Sequence, residues 1–148
     1  MTTYAQGKLF GPGKSRNTLP PPLEREEQKA LFRWIEYVGR REYPLSALLF
    51  HVPNGGRREK REAKHLQEQG VRPGIPDLFL PVPLGGYHGL WIEMKRRRNK
   101  PNAEQTRWLT LLREQGYVVT VCERMEEARD VLIAYLKSEF YPTNLNTP

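Results

Sequence analysis

Asp77, Glu93 and Lys95 are the residues whose types and spacing best suit chemistry. They stand in two short apolar runs, Gly74-Ile75-Pro76-Asp77-Leu78-Phe79-Leu80 and Leu90-Trp91-Ile92-Glu93-Met94-Lys95, joined by a segment rich in Pro and Gly. Side chains alternate faces along a strand. A hairpin centred on Gly85 sets Asp77 opposite Glu93. Leu78, Leu80, Leu90, Ile92 and Met94 then share a face suited to a core, and Asp77, Glu93 and Lys95 share the other. Two carboxylates and an ammonium grouped in this way are costly unless solvated, paired, or holding a metal. Magnesium or manganese prefers oxygen ligands and keeps several waters. Asp77 and Glu93 supply a partial cage for such an ion, and the peptide carbonyl of Met94, beside Glu93, is a further ligand. The ion would polarise a phosphate and lower the pKa of a bound water. Lys95, on the same face, would position that water or stabilise the developing negative charge. The expectation is a metal site for phosphodiester cleavage. A bare Glu-X-Lys usually marks a solvated strand face, so the case rests on the surrounding elements.

A first helix is predicted over residues 23–39, where Leu31, Phe32, Ile35 and Val38 recur at helical spacing. Extending that face backwards reaches Gln28 and then Glu24. Glu24 is either a first-turn acid favoured by the helix dipole or a carboxylate reaching into the site; Glu26 and Glu27 lie further round. Residues 47–52 read as a strand. Pro53-Asn54-Gly55-Gly56 then forces a turn, which either connects strand to helix or brings backbone amides to a phosphate. Residues 57–69 read as a helix whose first half carries Arg57, Arg58, Lys60, Arg61 and Lys64. A solvated face is the usual meaning of that pattern, and phosphate contact is the alternative. Pro76 belongs at a strand start. After the hairpin comes the basic loop Arg96-Arg97-Arg98-Asn99-Lys100. Asn102 caps a helix with Gln105, Trp108, Leu109 and Leu112 on one face. A strand over 117–122 and a helix over 125–137 follow. The middle strands pair antiparallel, and a crossover makes the next pair parallel. The expected fold class is α/β, a mixed sheet flanked by helices.

The 148 residues suit one folded unit over 23–137, with a flexible arm at 1–22 and a tail at 138–148. Lys and Arg number 24 against 17 Asp and Glu, and the excess of +7 concentrates in residues 57–64 and 95–100. Clustered positive charge suits a polyanion such as nucleic acid. The lone cysteine, Cys122, excludes an internal disulfide and is compatible with a reducing compartment. No apolar run approaches the ~20 residues that span a bilayer, and no secretory signal is evident.

The combination resembles a known family. Pro76-Asp77 followed by Glu93-Met94-Lys95 looks like the PD-(D/E)XK nuclease signature. Glu24 with Gln28, Asn54-Gly55-Gly56, Gly70, Gly74-Ile75-Pro76-Asp77 and Gln105 extend the likeness to its virus-type replication-repair branch, VRR-NUC, over residues 23–136. The resemblance implies a restriction-endonuclease-like core and cleavage of DNA that depends on Mg2+ or Mn2+ and leaves a 5′-phosphate. It makes Asp77 and Glu93 metal ligands, Lys95 the catalytic lysine, Glu24 the acid of the first helix, and Gln105 the glutamine that follows the signature. Small stand-alone members resemble Holliday-junction resolvases and can be homodimers. Branched or duplex DNA and a second copy of the chain are therefore the expected partners, in an intracellular setting with nucleoid or phage DNA. A non-catalytic nucleic-acid-binding module on the same fold is the alternative.

Overall fold

The computed structural model describes residues 23–42, 45–53 and 60–138. Asn54, Gly55, Gly56, Arg57 and Arg58, together with the arm at 1–22 and residues 139–148, lie outside the described residues. Lys60 and Arg61 are described only as backbone of a helix.

The hairpin has the register that alternation requires. β2 (Leu78–Leu80) and β3 (Leu90–Met94) pair antiparallel through Leu78↔Ile92, Phe79↔Trp91 and Leu80↔Leu90. The connection closes with a Leu84↔Tyr87 bridge around Gly85 and Gly86, both at positive φ. β4 (Val118–Cys122) runs parallel to β3, and β1 (Phe50–His51) adds antiparallel to the other side of β2. The sheet order is β1-β2-β3-β4.

One face of this sheet is the core. Leu78, Leu80, Leu90, Ile92 and Met94 are fully buried there. They cluster with Leu31 and Ile35 of α1 (Glu24–Glu42) and with Ala128, Leu132 and Tyr135 of α5 (Met125–Leu136). Burying a Leu or Ile side chain is worth about 1.5–3 kcal/mol, so this layer is the main source of stability. The Tyr135 hydroxyl donates to the Val82 carbonyl at 2.6 Å and ties α5 to the hairpin connection. α4 (Ala103–Glu114) links β3 to β4 and packs against β4. Its Leu109 is buried apart from the main cluster. No helix among the described residues is long and apolar enough to cross a membrane.

The expected strand over 47–52 is a helical turn, α2 (Leu45–Leu48), followed by the two-residue β1. Leu45 and Leu49 stand one helical turn apart, both are buried, and the Leu49 amide donates to the Leu45 carbonyl at 2.9 Å. A short apolar run fits a buried helix or a strand equally well. Here the spacing of the two leucines decides, because β2 offers a partner only from Phe50 onward. α1 also runs past Gly39 to Glu42. A helical glycine costs only about 1 kcal/mol, which packing along a long helix offsets. The charged helix expected over 57–69 is described as α3 (Lys60–Glu68).

Gly74 fixes where α4 begins relative to β2. It has φ +84, and a Cβ there would lie 2.8 Å from the Glu104 carbonyl carbon and 3.0 Å from the Gln105 nitrogen. Only a glycine lets the lead into β2 lie flush on the first turn of α4. The Trp108 indole donates to the Pro73 carbonyl at 2.9 Å and holds the same contact. Gly70, at φ +96, has nothing within 4 Å of its would-be Cβ. Gly74→Ala therefore combines backbone strain with overpacking and should cost about 3 kcal/mol. Gly70→Ala should cost about 1 kcal/mol. Urea denaturation midpoints check this order, and equal losses would show that the Gly74 contact does not constrain α4.

Candidate active site

Of the predicted residues, Asp77, Glu93, Lys95, Gln105 and Glu24 meet at the end of the sheet where β3 leaves it. Continuing the β2–β3 register by one pair sets Asp77 opposite Glu93. The Asp77 side chain replaces the next rung of the ladder, with Oδ2 accepting from the Met94 amide at 2.8 Å. A strand residue's N–H and C=O point to the same side, so the Met94 carbonyl also faces the Asp77 edge. The Lys95 amide donates to the Cys122 carbonyl at 2.8 Å, which fixes the exit of β3 against β4.

Glu93 is the centre of the group. It is 1% exposed, an extreme burial for a carboxylate. Its Oε1 accepts from Lys95 Nζ at 2.9 Å and from Gln105 Nε2 at 2.5 Å. Its Oε2 is buried and has no partner among the described residues. Gln105 stands at the third position of α4 and completes a capping box: its amide donates to Asn102 Oδ1, and its Oε1 accepts from the Asn102 amide. With Oε1 committed to the cap, the side-chain NH2 is directed at Glu93. The stripe of α4 that began with a polar residue thus begins with one that serves both the helix and the site.

The three acids in the first turn of α1 have different partners. Glu24 Oε2 accepts from the Arg96 amide at 3.4 Å, and its charge acts on both Asp77 and Glu93. Glu26 pairs with Lys29 at 3.2 Å and Arg25 at 3.4 Å on the surface. Glu27 accepts from the Met125 amide at 2.8 Å and caps the start of α5. Gln28 is half-buried and lines an outer groove of α1 with Phe32 and Tyr37. Arg97, Arg98 and Lys100 are exposed on the loop after β3 and Arg96 is half-buried. That loop is held by Asn99 N to Arg96 O at 2.8 Å and Arg98 N to Glu123 Oε1 at 3.2 Å.

One neighbour was not singled out from the sequence. His51 Nδ1 lies 2.9 Å from the Asp77 carbonyl, which also accepts from the Val52 amide at 2.7 Å. A carbonyl only accepts, so Nδ1 carries the hydrogen. The available signal was a histidine in the apolar run just before Pro53-Asn54-Gly55-Gly56.

Burial raises the Glu93 carboxyl to about 7, helped by Asp77 and then Glu24, while Lys95 opposes the shift. Burial also raises Asp77, and the Met94 N–H is the main opposing influence. Among the described residues no three His, Cys, Asp or Glu side chains cluster as a ready metal cage. The Asp77 and Glu93 carboxylates and the Met94 carbonyl would nevertheless offer an ion only oxygen donors, which would suit magnesium or manganese rather than zinc. The unpartnered Glu93 Oε2 has the lone pairs such an ion would take.

Residues 23–125 match the family model for the VRR-NUC domain. A solved structure described as a VRR_NUC domain protein is 26% identical, with a TM-score of 0.68, over 79% of this chain and 90% of that one. None of the curated proteins compared with the chain matches it.

The raised carboxyls have a signed consequence for the metal-free protein. The folded state holds the Glu93 proton more tightly than the unfolded chain does, as it does that of Asp77. The resulting stabilisation is complete below the ordinary value of 4.5 and fades as pH rises through about 7. Denaturation midpoints in chelator should therefore fall across that window in the wild type and fall less in Glu93→Gln. Parallel pH profiles would contradict the raised carboxyl.

Proposed function

The chain belongs to the VRR-NUC family, a nuclease-type domain, and from that premise we propose a Mg2+- or Mn2+-dependent endonuclease. It would hydrolyse DNA phosphodiester bonds and prefer branched DNA such as a Holliday junction. The observation that carries the reading is the buried Glu93 carboxylate. One of its oxygens is held by Lys95 and Gln105, the other has no partner among the described residues, and Asp77 stands opposite.

Asp77, Glu93 and the Met94 carbonyl would hold the ion, which supplies Lewis acidity at the scissile phosphate and a water of lowered pKa. Gln105 holds Glu93 Oε1 from one side, so the carboxylate presents a fixed direction to its ligand. Lys95 has three donors and gives one to Glu93. The remaining two can orient the attacking water and steady the negative charge that grows on the phosphate oxygens. Glu24 adds a third carboxylate that can orient water at the rim of the site. Arg96, Arg97, Arg98 and Lys100 would neutralise flanking phosphates, making affinity fall steeply with salt. A four-way junction has two equivalent strands to cut, and a two-fold homodimer would bring one site to each. The all-oxygen donor set and the adjoining lysine favour catalysis over a purely binding module. The expected setting is the cell interior, on nucleoid or phage DNA.

The test is a panel of single-stranded, duplex, flap and four-way-junction DNA with magnesium or manganese. Asp77→Ala and Lys95→Ala should each lower cleavage by at least about 100-fold. Lys95→Ala should keep divalent-ion binding in calorimetry, whereas Asp77→Ala should lose it. Wild-type protein that cuts no member of the panel with either metal, yet binds DNA in a salt-sensitive way, would reject catalysis in favour of the binding module. A second pair of variants separates the α1 acids. Glu24→Ala should slow cleavage with little change in stability. Glu27→Ala should cost about 1 kcal/mol of stability through the lost cap on α5, with little change in rate.

A further inference from the structure

The carboxylates occupy one of two parallel rows across the same face of the sheet. The first row is Val52, Asp77, Glu93 and Val121, set by the Val52–Asp77 hydrogen bond and the Glu93↔Val121 pair. Two residues further along each strand lies the second row, Phe50, Phe79, Trp91 and Val119. At about 3.3 Å per residue the rows are roughly 7 Å apart. Phe79 stacks on Trp91 with ring centroids 4.2 Å apart and planes 17° from parallel. Phe50 meets Phe79 edge-on at 5.7 Å. The second row is thus an aromatic strip that begins beside the carboxylates and ends at the edge strand β1.

Its outer end is open. Phe50 is 47% exposed, on a two-residue strand with no neighbour on its outer side among the described residues. A satellite core would bury that ring. Natural sheets tend to keep edge strands short and polar, so a half-exposed phenylalanine at this position calls for an occupant. The surrounding charge indicates which one. Lys95 lies two residues past Glu93 along the exit of β3, on the side of the carboxylate row away from the aromatic row, and the exposed Arg97, Arg98 and Lys100 follow it. A polyanionic strand drawn along that loop passes the carboxylates and reaches the aromatic row next.

We propose that Phe50, backed by Phe79 and Trp91, stacks an unpaired nucleobase next to the phosphate that is cut. The inference rests on the nuclease reading of the same site and specifies its substrate. A base inside a continuous duplex has both faces covered by its neighbours. A base at a branch, flap or gap has a free face, and aromatic side chains bind such faces whatever the base. The strip would select DNA by the presence of an unstacked nucleotide rather than by sequence.

The experiment measures binding without divalent ions, so that no strand is cut. Wild-type, Phe50→Leu and Phe50→Trp proteins are titrated, at fixed salt, with a flap carrying 2-aminopurine at the unpaired position and with a matched continuous duplex. Stacking predicts that Phe50→Leu weakens flap binding about tenfold, ~1.4 kcal/mol. It also predicts that duplex affinity is unchanged, that quenching of 2-aminopurine is lost, and that Phe50→Trp restores both flap affinity and quenching. Unchanged flap affinity in Phe50→Leu, or equal weakening on flap and duplex, overturns the proposal. So does sedimentation showing that Phe50→Leu converts a wild-type dimer to monomer, because a second copy would then be the occupant of the strip. Wild-type protein that cleaves nothing with either metal but keeps the Phe50-dependent split supports stacking and rejects only the nuclease reading.

Discussion

The structure depends on one ionisable group kept out of water. A carboxylate as buried as Glu93 is tolerated only if it is neutral, paired or ligated. The protein meets part of that requirement with Lys95 and Gln105 on one oxygen and, among the described residues, leaves the other oxygen without a partner. Each compensating group needs its own support. Gln105 is aimed by a capping box, the capping box stands at the start of α4, and α4 is seated there because Gly74 lets the chain before β2 lie against it. Lys95 is held in place by a backbone hydrogen bond to β4. The start of α4, the lead into β2 and the exit of β3 are therefore coupled through a single side chain. This coupling lets a short sheet present a functional carboxylate in a fixed direction.

α1 shows how one helix terminus can serve two purposes. Three acids in its first turn interact favourably with the helix dipole. The 100° step between successive residues then sends them to different partners. Glu24 reaches the amide of Arg96 beside the site, Glu27 takes the first amide of α5, and Glu26 stays on the surface with Lys29 and Arg25. Glu27 and the core contacts bind α1 to α5. Glu24, in the same turn, is thereby delivered to the far end of the sheet without a loop of its own.

What was legible in the sequence follows from which constraints are local. Strand alternation fixed the hairpin register and the division of Leu78, Ile92 and Met94 from Asp77, Glu93 and Lys95, because a slip of one residue would turn the charges into the apolar core and the leucines out of it. The Asn102 cap and the parallel pairing of β3 with β4 were legible for similar reasons. The strand expected at 47–52 failed because a short apolar run fits either element, and Leu45 and Leu49, one helical turn apart, are buried as part of a turn packed on α1 before β1 begins at Phe50. Helical phase separated Glu24 from Glu26 and Glu27, but the partner each one meets was hidden, since it depends on how α1 packs against α5 and the exit of β3. His51 escaped notice because its hydrogen bond is to the backbone of Asp77, and backbone acceptors leave no mark in a sequence.

The period of two that exposes the carboxylates also dictates what lies beside them. On this face every second residue of β2 and β3 must avoid the core, so next to the Asp77–Glu93 pair the chain has to place another pair, Phe79 and Trp91. Acidic residues there would add to the repulsion that already helps to raise both carboxyls. Small polar ones would admit water around Glu93 and weaken every electrostatic interaction in the site. Stacked aromatic rings do neither, since they are large enough to exclude water and carry no net charge. The aromatic row is thus first a dielectric wall for the carboxylate row. Only its continuation to Phe50, beyond the point where that wall is needed, requires a reason outside the fold.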